Sequence, residues 1–501
     1  MSSAADLGLP TVDAPHVACS AALPPPFYRG LVATRALAAG DVALAVPLDS
    51  LLSVYAPFAL DACDRPLRQF LASSAGKALG EDDALVLRLL HEARVRGAAS
   101  HWHAYCKMIP ESYDLPFSWS DDEIAALFGT GLHAIAGAMR TQARQDHAAL
   151  VAALAADADG AEVLASGINL DLPSYIWALS SVWSRGVTLP LGRVPQFASA
   201  PAPAGAPASG LAKTLAPFFD LLNHSPASIT EHRFDAERAA LTVVVKEPVA
   251  AGEQILLNYG LHFSREMVKL RGFVVAPTSS ASNADADEPA AAHESVQVQV
   301  YMPAQMPAMG ERLGALRLHP PRGIHATAAL AQSEAGTLSM LPDGSLYGAF
   351  EFYQAVPNAA MLRMVQIQLC PRARLSALTE LLRADRLAFL DADVEFGVLD
   401  ATHDALCGML SALTGRNQHQ HAQSATSAAA SGSSAGQASE AKLLEDLRLE
   451  LSGQSADANT TTLAASSNRR LQCSAHIRAA ERSILEWHIA HLKARMTALR
   501  P

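Results

Sequence analysis

The chain has 501 residues, half of them hydrophobic and 17% charged, enough for a sizeable core and for two or three domains. A formal net charge of −11 with no long lysine or arginine run argues against nucleic-acid binding, and no apolar run reaches the length of a membrane helix. The six cysteines are scattered and form no CxxC pair. This excludes a zinc framework of that kind, argues against a disulfide scaffold and fits a reducing compartment.

Taken in chain order, "MSSAADLGLPTVDAPHVACS" has no basic region followed by an apolar stretch, so it reads as a poor secretory signal, and its acidic residues make it a poor transit peptide. Residues 1–24 are expected to be a tail. Residues 28–55 read as strands broken at a Gly40-Asp41 turn. Residues 60–182 read as helices. "DDALVLRLLHEAR" opens on acidic residues suited to a helix start. Ser120 and Glu123 form a capping box, and "LPSYIWALSSVWSR" ends near Gly186. Residues 198–210 are an Ala/Pro/Gly linker. Strands return in "ALTVVVKEPV" and "EQILLNY", turning at Ala251-Gly252. A loop at 276–294 precedes the alternating "SVQVQVYM", and the remainder reads as largely helical. Low complexity over about 422–468 interrupts it. The last helix sets Ile477, Ile484, Leu485, His488 and Leu492 on one face.

Three stretches carry the chemistry. Arg29-Gly30-Leu31 places a glycine where a backbone allows close approach. "FFDLLNHS" ends an apolar run on Asn223-His224, two polar side chains that need partners if buried. "AGEQILLNYG" projects the phenol of Tyr259 from a strand end. Each alone has a bland structural explanation. The histidine pairs at 101–103 and 419–421 lack a third ligand, so no metal site is expected.

As an ordered set, these stretches resemble the SET-domain methyltransferases, in the branch holding the Rubisco large-subunit lysine methyltransferase and the actin-histidine methyltransferase. "RGLVATRALAAGDVALAVP" resembles its opening strands, "HWHAYCKMIPESYDLPFSWSDDEIAAL" and "WALSSVWSRG" its helical insert, and "DLLNHS", "GEQILLNYG" and "GFVV" its signature motifs. The resemblance implies an α+β fold: a β-rich SET domain with a pseudoknot at about 25–275, a helical insert with its loop at about 56–210, and a mainly helical substrate-binding domain over 291–501. It implies S-adenosylmethionine as cofactor and, as the activity, lysine N-methylation of a non-histone protein. Histidine methylation, or a non-catalytic SET-like binding module, are the alternatives. A monomer that engages neither nucleic acid nor membrane is expected, in the cytoplasm or alternatively the chloroplast or nucleus.

The resemblance also assigns residues. Asn223 and His224 hold the adenine and amino-acid parts of the cofactor, Arg185 its carboxylate, Gly30 and Leu31 its methionine end, and Phe273 the adenine. Tyr259 stands where the methyl crosses. Two departures stand out. The chain has Ser184-Arg185-Gly186-Val187 where relatives commonly have Ser-Arg-Ser-Phe, and Arg271 where many have the tyrosine that lines the lysine channel. An arginine is always charged there and weakens the lysine assignment.

Overall fold

The computed structural model describes residues 1–9, 11–23, 29–55, 65–194, 205–225, 228–260, 263–274, 294–322, 334–385, 388–425 and 462–500, and only the backbone of 415–425 and 462–468. The first half is built on short strands. β1 (Val17–Ser20) pairs antiparallel with β2 (Gly30–Ala33). β3 (Val42–Pro47) is followed by β4 (Leu52–Ser53). After a helical stretch come β5 (Val187–Leu189), β6 (Ala212–Leu215), β7 (Asn223–His224), β8 (Thr230–Asp235), β9 (Ala240–Val245) and β10 (Leu256–Leu257). They form the orders β3-β9-β8 and β4-β6-β5 and one parallel pair, β7 with β10.

Residues expected to form an N-terminal tail are instead part of this core. Ser2 and Asp13 bridge to Cys19 and Ala45, and Leu9, Val12 and Val17 are buried. Their spacing is neither helical nor alternating, which is why the sequence does not announce them. The helical stretch has a second unannounced feature. It is entered from β4 and left through β5, and both strands pair with β6, so one small sheet closes its base. Residues 198–204 of the Ala/Pro/Gly stretch lie outside the described residues.

Within that stretch the local signals hold. The Ser120 side chain accepts from the Glu123 N–H while Glu123 reaches back to the Ser120 N–H. The Leu172–Arg185 helix is capped by Asp171 and closes at Gly186.

The second half is mainly helical, as expected, and also carries one small sheet. A three-stranded antiparallel sheet, β11 (Ser295–Met302), β12 (Gly336–Met340) and β13 (Leu346–Tyr353), has β13 at its centre. Helices Met309–Leu318, Ala359–Leu369, Ala392–Ala425 and Thr462–Leu499 pack a second core around Phe350, Met364, Leu399 and Leu485. Residues 275–293 and 426–461 hold most of the loop at 276–294 and of the low-complexity run, and they lie outside the described residues.

The last helix joins the halves. All five residues of its expected apolar face are buried. Ile477 packs with Trp119, Leu132, Val268 and Val274 in a third cluster. Arg470 pairs with Asp114 and Glu123. Both Glu481 oxygens accept from the Gly131 N–H at 3.1 Å, at the start of the Gly131–Ala156 helix. Burial pushes the Glu481 carboxyl up to about 7. Among the described residues no helix is long and apolar enough to cross a membrane.

Candidate active site

A cavity of about 280 Å³ opens between the end of the Leu172–Arg185 helix, the Phe219–Leu222 turn, the segment after β10 and the Ser264–Arg271 helix. That is near the lower bound of ligand pockets. Arg185, Tyr259 and Arg271 line it together, and so does Asp220, which sequence reasoning did not single out.

Asp220 organises one wall. Its Oδ2 accepts from Arg185 Nη1 at 2.9 Å and from the Tyr105 hydroxyl at 2.9 Å, and its backbone oxygen takes a second bond from Arg185 Nη1. The carboxylate side chain is 1% exposed. The turn that presents it is strained: Phe218 is fully buried at φ 69°, a backbone region that side-chain-bearing residues rarely enter. For the Arg185 guanidinium, burial is the largest effect and favours the neutral form, but the Asp220 charge and hydrogen bond together with Tyr113 and Tyr105 outweigh it and raise the pKa. Burial pushes the Tyr105 hydroxyl well up, and Asp220 adds to this. Two enclosed atoms of the cluster have no hydrogen-bond partner among the described residues: Arg185 Nε, a donor, and Asp220 Oδ1, an acceptor.

Tyr259 forms the opposite wall. Its hydroxyl donates to the Leu222 carbonyl at 2.5 Å, and its N–H donates to His224 Nδ1 at 3.1 Å. The two rings tilt together at 5.0 Å. Burial raises the Tyr259 pKa, with Arg271 and then Arg185 opposing. The phenol therefore stays protonated at neutral pH.

Arg271 does not point away from the site. Its guanidinium carbon lies 4.7 Å from the centre of the Tyr259 ring. Its Nη1 donates to the carbonyls of Trp183 and Ser184, in the last turn of the Leu172–Arg185 helix, where a cation suits the exposed carbonyls. Gly272 ends its own helix at φ 82°, and a Cβ there would stand 2.9 Å from the backbone of Asp114.

The other expected residues do not line this cavity. The Asn223 side chain donates to the Arg29 carbonyl and to Gln254 Oε1, both at 2.9 Å. His224 accepts from Tyr259. The protein itself thus supplies partners for the polar pair that ends the apolar run. Gly30 is a glycine because Asn223 presses on it: a Cβ would fall 2.3 Å from Asn223 Nδ2. Leu31 is fully buried, with its carbonyl taken by the Ile255 N–H. Phe273 is half-buried beyond Gly272. Asn223 and His224 still serve the site, tying Gly30-Leu31 and Tyr259 to the β7–β10 ladder. Trp102 is packed under Ser50, and no group of three His, Cys, Asp or Glu side chains converges among the described residues. The histidine pair at 419–421 lies where only the backbone is described.

The sequence carried a signal for Asp220. A carboxylate inside Phe218-Phe219-Asp220-Leu221-Leu222 must find a cation when buried, and Arg185 is the cation it finds.

The structure is similar to the SET domain of LSMT bound to lysine and AdoHcy, with a TM-score of 0.62 over 97% of this chain and 89% of that one at 16% identity. The fold is that of a SET-domain protein. Rubisco LSMT bound to sinefungin and monomethyllysine gives a TM-score of 0.61, also at 16% identity, over 97% and 88% of the two chains. Among curated proteins, the actin-histidine N-methyltransferase of Homo sapiens is 28% identical over 245 residues, 49% of this chain and 37% of that protein. The chloroplastic [fructose-bisphosphate aldolase]-lysine N-methyltransferase of Arabidopsis thaliana is 28% identical over 184 residues, 35% of this chain and 34% of that protein. The chain thus spans little more than a third of the length of the curated relatives it matches. No family model matches.

Proposed function

We propose that this chain is an S-adenosylmethionine-dependent protein N-methyltransferase. The observation that carries the reading is the Arg185–Asp220 ion pair, which lines a cavity beside Tyr259 in a SET fold. The guanidinium, 15% exposed and fixed by Asp220, suits a ligand carboxylate. The amino-acid end of S-adenosylmethionine carries one, so the residues fit the cofactor.

Arg185, fixed by Asp220, holds that end. Gly30, Leu31 and Phe273 are proposed for the remainder of the cofactor. Asn223 and His224 act by positioning, since their side-chain bonds run to Arg29, Gln254 and Tyr259. Bound there, S-adenosylmethionine supplies a methyl group already activated by its sulfonium charge. The chain contributes alignment, which can be worth about 7–11 kcal/mol at best. Tyr259 stays a protonated phenol; with its hydrogen on the Leu222 carbonyl, its oxygen orients an incoming N–H and is no base. The acceptor's proton leaves to water.

A lysine acceptor is supported by the bound lysine and monomethyllysine of the structural neighbours and by the aldolase-lysine relative. A histidine acceptor is supported by the actin-histidine relatives and by Arg271 in the cavity wall. Calorimetric titration of S-adenosylmethionine into the purified chain tests the cofactor assignment. One saturable site is expected, weakened at least tenfold in Arg185→Met. No binding to the folded wild type would refute the assignment.

A further inference from the structure

The cavity wall bears two guanidinium groups, Arg185 and Arg271, against one carboxylate, Asp220, which is already paired with Arg185 and Tyr105. Among the described residues, the remaining titratable groups lining it are Tyr259 and His232. Burial raises the pKa of the first and lowers that of the second, so both are uncharged near pH 7. The wall is thus net positive. Arg271 also occupies acceptors that an ammonium would need. It takes the carbonyls of Ser184 and Trp183, while Arg185 takes that of Asp220 and the Tyr259 hydroxyl that of Leu222. An ammonium brings three N–H donors and no acceptor.

We propose that Arg271 is the acceptor-selecting residue of this chain: its guanidinium over the Tyr259 ring bars a protonated amine and leaves the cavity to an uncharged imidazole. A lysine enters such a wall as its neutral form, about one molecule in two thousand near pH 7 at a pKa of about 10.4. An imidazole of pKa about 6.5 is mostly neutral at the same pH. The discrimination needs no shape difference, because the positive wall leaves the imidazole population almost untouched. In the transfer, one ring nitrogen forms the bond to the methyl carbon, the carbon–sulfur bond breaks with its electron pair going to sulfur, and the other ring nitrogen gives up its proton to water. The inference rests on the methyltransferase reading above and adds the residue that chooses the acceptor.

The test uses 4-methylimidazole and n-butylamine as probes, titrated at pH 7 into the full chain saturated with S-adenosylhomocysteine. Wild type is expected to bind 4-methylimidazole at least tenfold more tightly than n-butylamine. Arg271→Gln should improve n-butylamine binding at least tenfold and change 4-methylimidazole less than threefold. Arg271→Lys, which keeps the charge and can still donate to the helix end, should retain the exclusion; a purely structural role would make the two variants behave alike. In parallel, acid hydrolysis of cell-extract protein methylated by each variant should show methylhistidine for wild type and a shift toward methyllysine for Arg271→Gln. Amine binding that is equal in wild type and Arg271→Gln, or relief of exclusion in Arg271→Lys, would overturn the inference alone. Failure of the folded wild type to bind S-adenosylhomocysteine would overturn the reading of the site and this inference with it.

Discussion

Asp220→Ala is the sharpest perturbation of the site's architecture. Asp220 is the carboxylate partner of Arg185, whose side chain is 15% exposed, and the acceptor for the buried Tyr105 hydroxyl. Removing one member of a buried ion pair leaves an uncompensated charge and costs about 3–5 kcal/mol. Stranding the Tyr105 hydroxyl adds about 1–3 kcal/mol. Because the cavity lets water reach Arg185, the lower end applies, and a loss of about 3–4 kcal/mol is expected. The assay is urea denaturation followed by tryptophan fluorescence, run as a double-mutant cycle with Arg185→Met. Removing both charges together restores an apolar pairing, so the double variant should be more stable than the sum of the singles by at least about 2 kcal/mol. A loss below about 1 kcal/mol for Asp220→Ala, or simple additivity in the cycle, would refute the claim that this pair is buried and coupled.

Further outcomes follow from other contacts. Gly30→Ala drives a methyl group into Asn223 Nδ2 and Leu23 and should destabilise by about 1–3 kcal/mol in the same denaturation assay. Tyr259→Phe loses the bond to the Leu222 carbonyl, about 1 kcal/mol of stability, and should lower kcat while leaving S-adenosylmethionine affinity within twofold. Glu481 titrates from 4.5 in the unfolded chain to about 7 in the fold. The folded state therefore holds the extra proton between these values. Stability from this group falls as pH rises from about 4.5 to 7, by roughly 3 kcal/mol, and stays lost above. Glu481→Gln keeps an acceptor for the Gly131 N–H, and its stability measured against pH should lack that decline.

Much of the scaffold was legible because its signals are local. The Ser120–Glu123 capping box, the stop at Gly186 and the buried face ending at Leu492 each follow from spacing within a few turns. What could not be read lies in pairings between distant segments. β5 and β6 are three- and four-residue strands, too short for a pattern of their own to identify them, and they exist because β4 and each other offer hydrogen bonds. Leu9 and Val12 are buried by a surface formed elsewhere in the chain. At the site, motif order placed Arg185 and Tyr259 on one cavity. It did not give Asp220 and Tyr105, whose roles depend on contacts 35 and 115 residues apart. It also did not announce the two protein partners that the fold gives the Asn223 amide, Arg29 and Gln254.

The central claim is methyl transfer to protein, and its most direct measurement is incubation of the purified chain with methyl-labelled S-adenosylmethionine and whole-cell protein extract, followed by mass-spectrometric location of the label. The account predicts label on a side-chain nitrogen of a protein, strongly reduced when Tyr259→Phe replaces wild type. Cofactor binding by the folded wild type with no label entering any protein would contradict it and favour a SET-like binding module.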